Sequence, residues 1–164
     1  MRFNFAIPTL GLILLSWNIP AIAKPKAPRC VPIPLVGGEG NQVSKTVSVP
    51  TIPAGPLGRL GIDITNNNWN TDWALSGQGQ PFKTILIQVT SPATDPFEMR
   101  AFLKYSDQTN DEIFNQKAFT FTPAQPLEIK ASPRPQQQPY QVNLFVAGVK
   151  ALGEPYTASV QGCY

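Results

Sequence analysis

Residues 64–77, "ITNNNWNTDWALSG", place two tryptophans among amide, hydroxyl and carboxylate side chains. An indole ring offers an apolar face on which a sugar ring can stack, while asparagine and aspartate side chains form hydrogen bonds with hydroxyl groups. This combination is typical of a contact with a glycan. The candidate ligand-binding residues are Asn66, Asn67, Asn68, Trp69, Asn70, Asp72 and Trp73.

The spacing of the two tryptophans allows two interpretations. On a β-strand, Trp69 and Trp73 lie on one face, about 13 Å apart at ~3.3 Å per residue. If that face is exposed, the indoles form a platform for an extended sugar chain. We favour the alternative, a strand whose tryptophans face a core, because large apolar side chains usually end inside. The asparagine turn before the strand is then the expected ligand contact.

Two segments rich in oxygen ligands could bind calcium, namely "DITNNNWNTD" (63–72) and "SDQTNDE" (106–112). Neither follows the spacing of an EF-hand. Asparagine and aspartate also favour turns, because their side chains hydrogen-bond the nearby backbone. We therefore predict loops without a metal or cofactor, and keep calcium as the weaker alternative, with Asp107, Asp111 and Glu112 as its ligands.

The composition excludes most catalytic machinery. The chain has no histidine, so a Ser-His-Asp or Cys-His arrangement is impossible. It also lacks the GxSxG and SxxK nucleophile motifs, and the glycines of 55–61 lack the ending of a phosphate-binding loop. Two carboxylates suffice for glycoside hydrolysis, but no spacing singles out a pair. We predict no catalytic residue; the acidic candidates are Asp63, Asp72, Asp95, Glu98, Asp107, Asp111 and Glu112.

Residues 1–23 have the pattern of a signal peptide. Arg2 precedes an uncharged apolar run at 5–19, and "AIA" at 21–23 places small residues at the cleavage site. A membrane anchor is the alternative, but the run is shorter than the ~20 residues that a spanning helix needs. We therefore expect cleavage after Ala23 and a secreted or periplasmic protein without a membrane span.

The two cysteines, Cys30 and Cys163, lie near opposite ends of the chain that remains after cleavage. In an oxidising compartment, two thiols most simply form one disulfide. The alternatives are two separate thiols or a shared metal site, and the absence of histidine argues against zinc or copper. The predicted disulfide requires the two ends of the domain to lie side by side.

Charge argues against a nucleic-acid partner. Removing Arg2 from the 13 basic side chains leaves 12 against 10 acidic ones, a net charge of +2. Nucleic-acid binding normally requires a stronger cluster of Lys and Arg. Charged residues make up 14% of the chain, below the ~25% of typical soluble domains. Uncharged polar residues replace them, which favours an extracellular β-rich protein.

The remaining chain predicts one all-β domain. A proline-rich extended lead at 24–40 ends in a glycine turn, and short runs with period-two alternation follow it. Eight or nine such strands, joined by Pro and Gly turns, indicate an antiparallel β-sandwich or jelly roll over residues 41–164. Besides the tryptophan stretch, the predicted strands are residues 43–49, 57–65, 82–90, 117–122, 127–131, 140–149 and 156–162.

Residues 95–105, "DPFEMRAFLKY", fit two structures. Asp95, Pro96 and Glu98 imitate the start of a helix. As a strand, the segment places Phe97, Met99, Ala101, Leu103 and Tyr105 on one face, with Phe102 the one residue that breaks the alternation. We predict a strand, because the alternation is nearly unbroken and the neighbouring segments are strands.

Three functions remain open. The first is an exported, non-catalytic binding or structural module that recognises a glycan. The second is an interaction or assembly subunit of a cell-envelope or surface complex, which would use the lead and the edge strands of the sandwich. The third is a small hydrolase that depends on two carboxylates. No motif is specific enough to assign the chain to a family.

Overall fold

A computed structural model describes residues 29–49, 69–75 and 79–164. These residues form nine strands: β1 (Cys30–Pro32), β2 (Gln42–Thr46), β3 (Asn70–Ala74), β4 (Thr84–Thr90), β5 (Phe97–Lys104), β6 (Asn110–Phe119), β7 (Leu127–Ala131), β8 (Gln141–Ala147) and β9 (Pro155–Cys163). The predicted signal peptide, the predicted strand at 57–65 and Asn66, Asn67 and Asn68 lie outside the described residues. In the described part of the chain, no helix is long and apolar enough to cross a membrane.

The strands form two antiparallel sheets, which confirms the predicted β-sandwich. Sheet A has the order β1-β9-β4-β7, with β2 also paired to β9, and sheet B has the order β3-β8-β5-β6. The pairs are nested, because β2 pairs with β9, β3 with β8, β4 with β7 and β5 with β6. The chain therefore forms one long hairpin rolled into two layers, which is the arrangement of a jelly roll.

Alternation of apolar and polar residues explains which side of each strand faces the core. In β5, Phe97, Met99, Ala101 and Leu103 are fully buried, while the residues that alternate with them are partly exposed. The strand prediction for residues 95–105 is thus confirmed, since β8 and β6 pair with β5 on its two sides. Phe102, which breaks the alternation, lies on the outer face with the Arg100 guanidinium 4.9 Å from its ring centroid.

The segment "SDQTNDE" is a loop only in its first half. The Tyr105 N–H donates to the Thr109 carbonyl oxygen over 2.9 Å, which closes a tight turn, and β6 already begins at Asn110. The prediction of a loop through Glu112 is therefore wrong. Arg134 and Arg100 neutralise the carboxylates of Asp111 and Glu112 respectively, which makes acidic residues acceptable in a strand.

The amino-terminal lead contributes to the sandwich. Strand β1 lies inside the predicted lead at 24–40 and pairs with the end of β9, and Ile33 is fully buried. A turn with positive φ at Gly37 and Gly40 then leads into β2. The sandwich therefore includes strand residues from Cys30 onward, ahead of the predicted boundary at residue 41.

The predicted disulfide between Cys30 and Cys163 is confirmed. The two residues are directly opposite each other in the β1–β9 pair, with a Cα–Cα distance of 4.0 Å and a sequence separation of 133. The Tyr164 N–H also donates to the Arg29 carbonyl oxygen over 3.0 Å. The first and last described residues thus lie side by side at one end of sheet A.

We expect the double substitution of Cys30→Ser and Cys163→Ser to lower the free energy of unfolding by as much as about 5 kcal/mol, because a closed loop of this length restricts the unfolded chain. Urea denaturation of the oxidised protein and the variant measures the difference. Reduced wild-type protein is the control and should match the variant. Equal midpoints for all three samples would show that the bridge does not stabilise the fold.

Candidate functional site

Trp73 belongs to the core. Its side chain is fully buried in β3, and its indole N–H donates to the Asn41 carbonyl oxygen over 2.9 Å. Thr71 and Leu75, on the same face of the strand, are buried as well. This face packs between the two sheets, as the favoured interpretation of the stretch expects, and Trp73 is not accessible to a ligand.

Trp69 has a different environment, although it shares the strand parity of Trp73. It precedes the first residue of β3 and is only partly buried. Its indole N–H donates to the Ser48 carbonyl oxygen over 2.9 Å. Its ring meets Phe145 edge to face, with centroids 5.6 Å apart and an interplanar angle of 84°. The hydrogen bond and the aromatic contact together fix the orientation of the indole.

Trp69 and Phe145 form two walls of a small cleft at one end of sheet B. The cleft has a volume of about 110 Å³ and is also lined by Glu98, Ala147, Gly148, Val149 and Leu152. We call it the Trp69 cleft. Val149 is 84% exposed, and Leu152 is 37% exposed. The lining of the Trp69 cleft is thus mostly apolar, and Glu98 is its charged residue.

The turn after β8 sets the floor of the Trp69 cleft. Gly148 has a φ of 134°, and a Cβ atom there would lie 3.1 Å from the Glu98 backbone nitrogen and 3.2 Å from the Pro96 carbonyl oxygen. Only glycine fits this backbone conformation so close to β5. The turn closes through a hydrogen bond from the Ala151 N–H to the Gly148 carbonyl oxygen, 3.1 Å long. It presents Val149 and Leu152 beside Trp69.

Asn70, Asp72 and Trp73, the other predicted ligand contacts that the structure describes, do not line this cleft. Asn70 is exposed, and its backbone carbonyl oxygen accepts a hydrogen bond from Lys45 Nζ. The Asp72 carboxylate accepts hydrogen bonds from Asn143 Nδ2 at 2.8 Å and from Lys104 Nζ at 3.3 Å. Asp72 is therefore occupied by partners on β8 and β5. The predicted stretch is divided between the core and the outer surface of sheet B.

The sequence analysis missed Phe145, Val149 and Leu152, and considered Glu98 only as a catalytic candidate. One signal was available for Phe145. In β8, the residues Val142, Leu144 and Val146 occupy the buried positions, so an aromatic residue between them must face outward. An outward aromatic residue in a strand is a reason to look for a ligand or partner surface.

A polar cluster lies between β2, β3 and β9. Lys45 Nζ donates to the Thr71 hydroxyl oxygen over 2.8 Å. Burial lowers the pKa of Lys45, and the negative charge of Asp72 opposes this change. Burial also raises the pKa of Tyr156 to about 12. The Thr71 hydroxyl offsets part of that increase, but among the described residues the Tyr156 hydroxyl has no partner at hydrogen-bond geometry.

The candidate calcium ligands lie next to guanidinium groups. Arg134 Nε donates to both Asp111 carboxylate oxygens at 3.1 and 3.0 Å, and its Nη1 lies 3.7 Å from Asp107 Oδ2. Hydrogen bonds from Thr109 lower the pKa of Asp107 to about 2. Glu112 pairs with Arg100 at 2.7 Å. Within residues 29–49, 69–75 and 79–164, no cluster of three potential metal ligands occurs. Calcium binding stays the weaker alternative, and the structure does not test it.

Comparison with known proteins gives no further assignment. No protein-family model, no curated protein and no solved structure matches this chain. The site must therefore be interpreted from its own geometry.

We predict that the two tryptophans differ in solvent access. In protein without residues 1–23, which removes Trp17, the Trp69→Phe variant should emit at short wavelength and resist acrylamide, because its remaining indole at Trp73 is fully buried. The parent protein should be quenched more, through Trp69. Strong quenching in the variant would contradict the burial of Trp73. Near-ultraviolet circular dichroism of both proteins checks that the core is intact.

We predict that Tyr156→Phe reduces the loss of stability at alkaline pH. The unfolded side chain ionises near pH 10, whereas the folded one keeps its proton until about pH 12. The protonated Tyr156 side chain therefore contributes to the free energy of unfolding in full below pH 10. This contribution, up to about 2 kcal/mol, is lost as the pH rises from 10 to 12. Denaturant titrations at pH 7 and 11 measure this. Equal losses of stability in wild type and variant at pH 11 would contradict the prediction. As the control, the variant should be as stable as wild type at pH 7.

Proposed function

We propose that the protein is an exported, non-catalytic binding module that holds a sugar ring of a glycan in the Trp69 cleft. The observation that carries this proposal is the partly buried Trp69, which is oriented by Ser48 and Phe145 beside an unpaired carboxylate. No hydrogen bond or ion pair joins Glu98 to another side chain of the described segments. An apolar wall with one free acceptor suits a molecule that has both C–H faces and hydroxyl groups.

The contact with a sugar follows from these groups. The C–H face of the ring packs against the indole and Phe145, which removes apolar surface from water. The Glu98 carboxylate accepts hydrogen bonds from ring hydroxyls, and bonds to a charged acceptor are stronger than neutral ones. The volume of about 110 Å³ is below the ~300 Å³ of sites that enclose a drug-sized ligand. The cleft therefore suits one ring of a longer glycan.

Two features support export and a non-catalytic role. The Cys30–Cys163 disulfide is compatible with an oxidising compartment, and residues 1–23 have the sequence of a signal peptide. The chain has no histidine, and the acidic residues Asp72, Asp107, Asp111 and Glu112 are bound by cationic side chains. Among the described acidic candidates only Asp95 and Glu98 make no ion pair, and no sequence motif marks these two as a catalytic pair.

An assembly subunit is the second candidate. Its support is β6, a strand of ten residues at the edge of sheet B. Unpaired edge strands can pair with another chain. The register of β5 and β6 shifts at two places, however, and such bulges hinder pairing at an edge. We therefore rank assembly second; oligomers that form with increasing protein concentration would favour it.

We expect Trp69→Ala to weaken binding of a glycan selected from an immobilised panel by at least tenfold, because stacking on the indole is lost. Trp69→Phe, which keeps a ring, should lose less. Isothermal titration calorimetry measures both affinities. Tyr140→Ala is the matched control, because Tyr140 is 43% exposed and lies just before the other end of β8. The control should bind like wild type.

Two outcomes would reject the proposal. One is the absence of any bound glycan in the panel, with the protein shown to be folded by its denaturation curve. The other is a glycan whose affinity falls equally with Tyr140→Ala and Trp69→Ala, since the Trp69 cleft would then have no special role.

A further inference from the structure

A second depression continues the Trp69 cleft along the surface. It has a volume of about 310 Å³ and is lined by Pro96, Glu98, Lys117, Ala118, Val149 and Lys150, with Gly148 between them. Glu98, Gly148 and Val149 also line the Trp69 cleft. The two depressions therefore adjoin, and together we call them the groove; Trp69 and Phe145 line only the first part, the two lysines line only the second, and Glu98 lines both.

Lys117 and Lys150 lack the ion pairs that four other cations of the described sandwich make, as Lys45 and Lys83 also do. Arg100, Lys104, Lys130 and Arg134 each form an ion pair with a carboxylate. Lys117 and Lys150 are exposed and make no ion pair with any described residue. Glu98 lines the same groove, yet its carboxylate is not within ion-pair distance of either ammonium. The two ammonium groups thus have no ion-pair partner among the described residues.

A bulge in β6 places Lys117 at the groove. Phe97 pairs with Phe119 and Met99 with Gln116, so two residues of β6, Lys117 and Ala118, lie opposite the single residue Glu98. A bulge redirects the side chains at its position, and bulges are common beside binding sites. The irregular register therefore occurs beside Glu98, one of the three residues that line both depressions.

We infer that the glycan is acidic and carries a uronate carboxylate. This inference rests on the proposed function. A sugar ring packs on Trp69 and Phe145, hydroxyl groups donate to Glu98, and the carboxylate of a neighbouring uronate lies between Lys117 and Lys150. The uronate carboxylate replaces water at the two ammonium groups and balances their positive charge. A neutral glycan would leave both ammonium groups without an ion pair.

Glu98 favours a glycan over an acidic peptide. A carboxylate in the middle of the groove repels the closely spaced negative charges of an acidic peptide. Sugar hydroxyls, in contrast, are hydrogen-bond donors that a carboxylate accepts. The order of groups along the groove, with apolar rings first, an acceptor next and two cations last, therefore matches a glycan with one negative charge near its bound ring.

The test compares uronate oligosaccharides with their neutral methyl esters, which keep the ring and remove the charge. We titrate trisaccharides of galacturonate, glucuronate and mannuronate, each as the free acid and as the methyl ester, into wild-type protein. At least one free acid should bind tenfold or more tightly than its ester at low salt. The difference should shrink at high salt, because screening weakens exposed charge contacts.

Variants assign the charge preference to the two lysines. The double variant Lys117→Gln and Lys150→Gln should bind the acid only as well as the ester, with the affinity for the ester unchanged. The double variant Lys117→Arg and Lys150→Arg should keep the preference, which shows that the fold tolerates both positions. The matched control, Lys83→Gln and Lys130→Gln, changes two exposed lysines outside the groove and should behave like wild type.

Each contrary result has a distinct meaning. Equal affinity for acids and esters overturns the inference while the proposed function stands. A preference that survives Lys117→Gln and Lys150→Gln also overturns it. Binding of tri-glutamate without binding of any trisaccharide replaces the glycan with an acidic peptide and rejects both proposals. A protein that binds no sugar, charged or neutral, rejects the proposed function itself and the inference with it.

Discussion

The pairing of the amino-terminal strands with β9 is the constraint on which the rest of the structure depends. β9 lies inside sheet A, between β4 on one side and β1 with β2 on the other. The pairs of β1 and β2 with β9 are the outermost of the nested pairs, so the strands that begin and end the described sandwich lie together in sheet A. The Cys30–Cys163 disulfide fixes that meeting point covalently. Without it, closure must overcome the loop entropy of most of the domain.

The same pairing positions the Trp69 cleft. Val47 follows β2, and its N–H donates to the Glu154 carbonyl oxygen, while the Gly153 N–H donates to the Val47 carbonyl oxygen. These bonds hold the turn that carries Val149 and Leu152 against the end of β2. The next residue, Ser48, accepts the indole N–H of Trp69. The cleft is thus built from sheet B but is fastened to the edge of sheet A.

Local alternation was sufficient to predict most of the strands. β5, β7 and β8 are found within one or two residues of the predicted segments, because apolar residues recur at every second position in each of them. The start of β6 could not be predicted in this way. Asp111 is acceptable there because Arg134, which is distant in sequence, binds its carboxylate. A local pattern of acidic and amide residues has no information about such a partner.

The Trp69 cleft could not be predicted from local patterns for a related reason. Trp69 and Trp73 have the same parity, yet only Trp73 lies within the paired region of β3. The alternation of side chains predicts the face of a residue only where the strand is paired with its neighbour. Trp69 lies just before β3, so its own contacts orient its side chain. Ser48 and Phe145, from two other parts of the chain, determine where the Trp69 indole lies. Trp69, whose carbonyl oxygen accepts the Val146 N–H at the very end of the β3–β8 pairing, is therefore only partly buried, whereas Trp73 is fully buried.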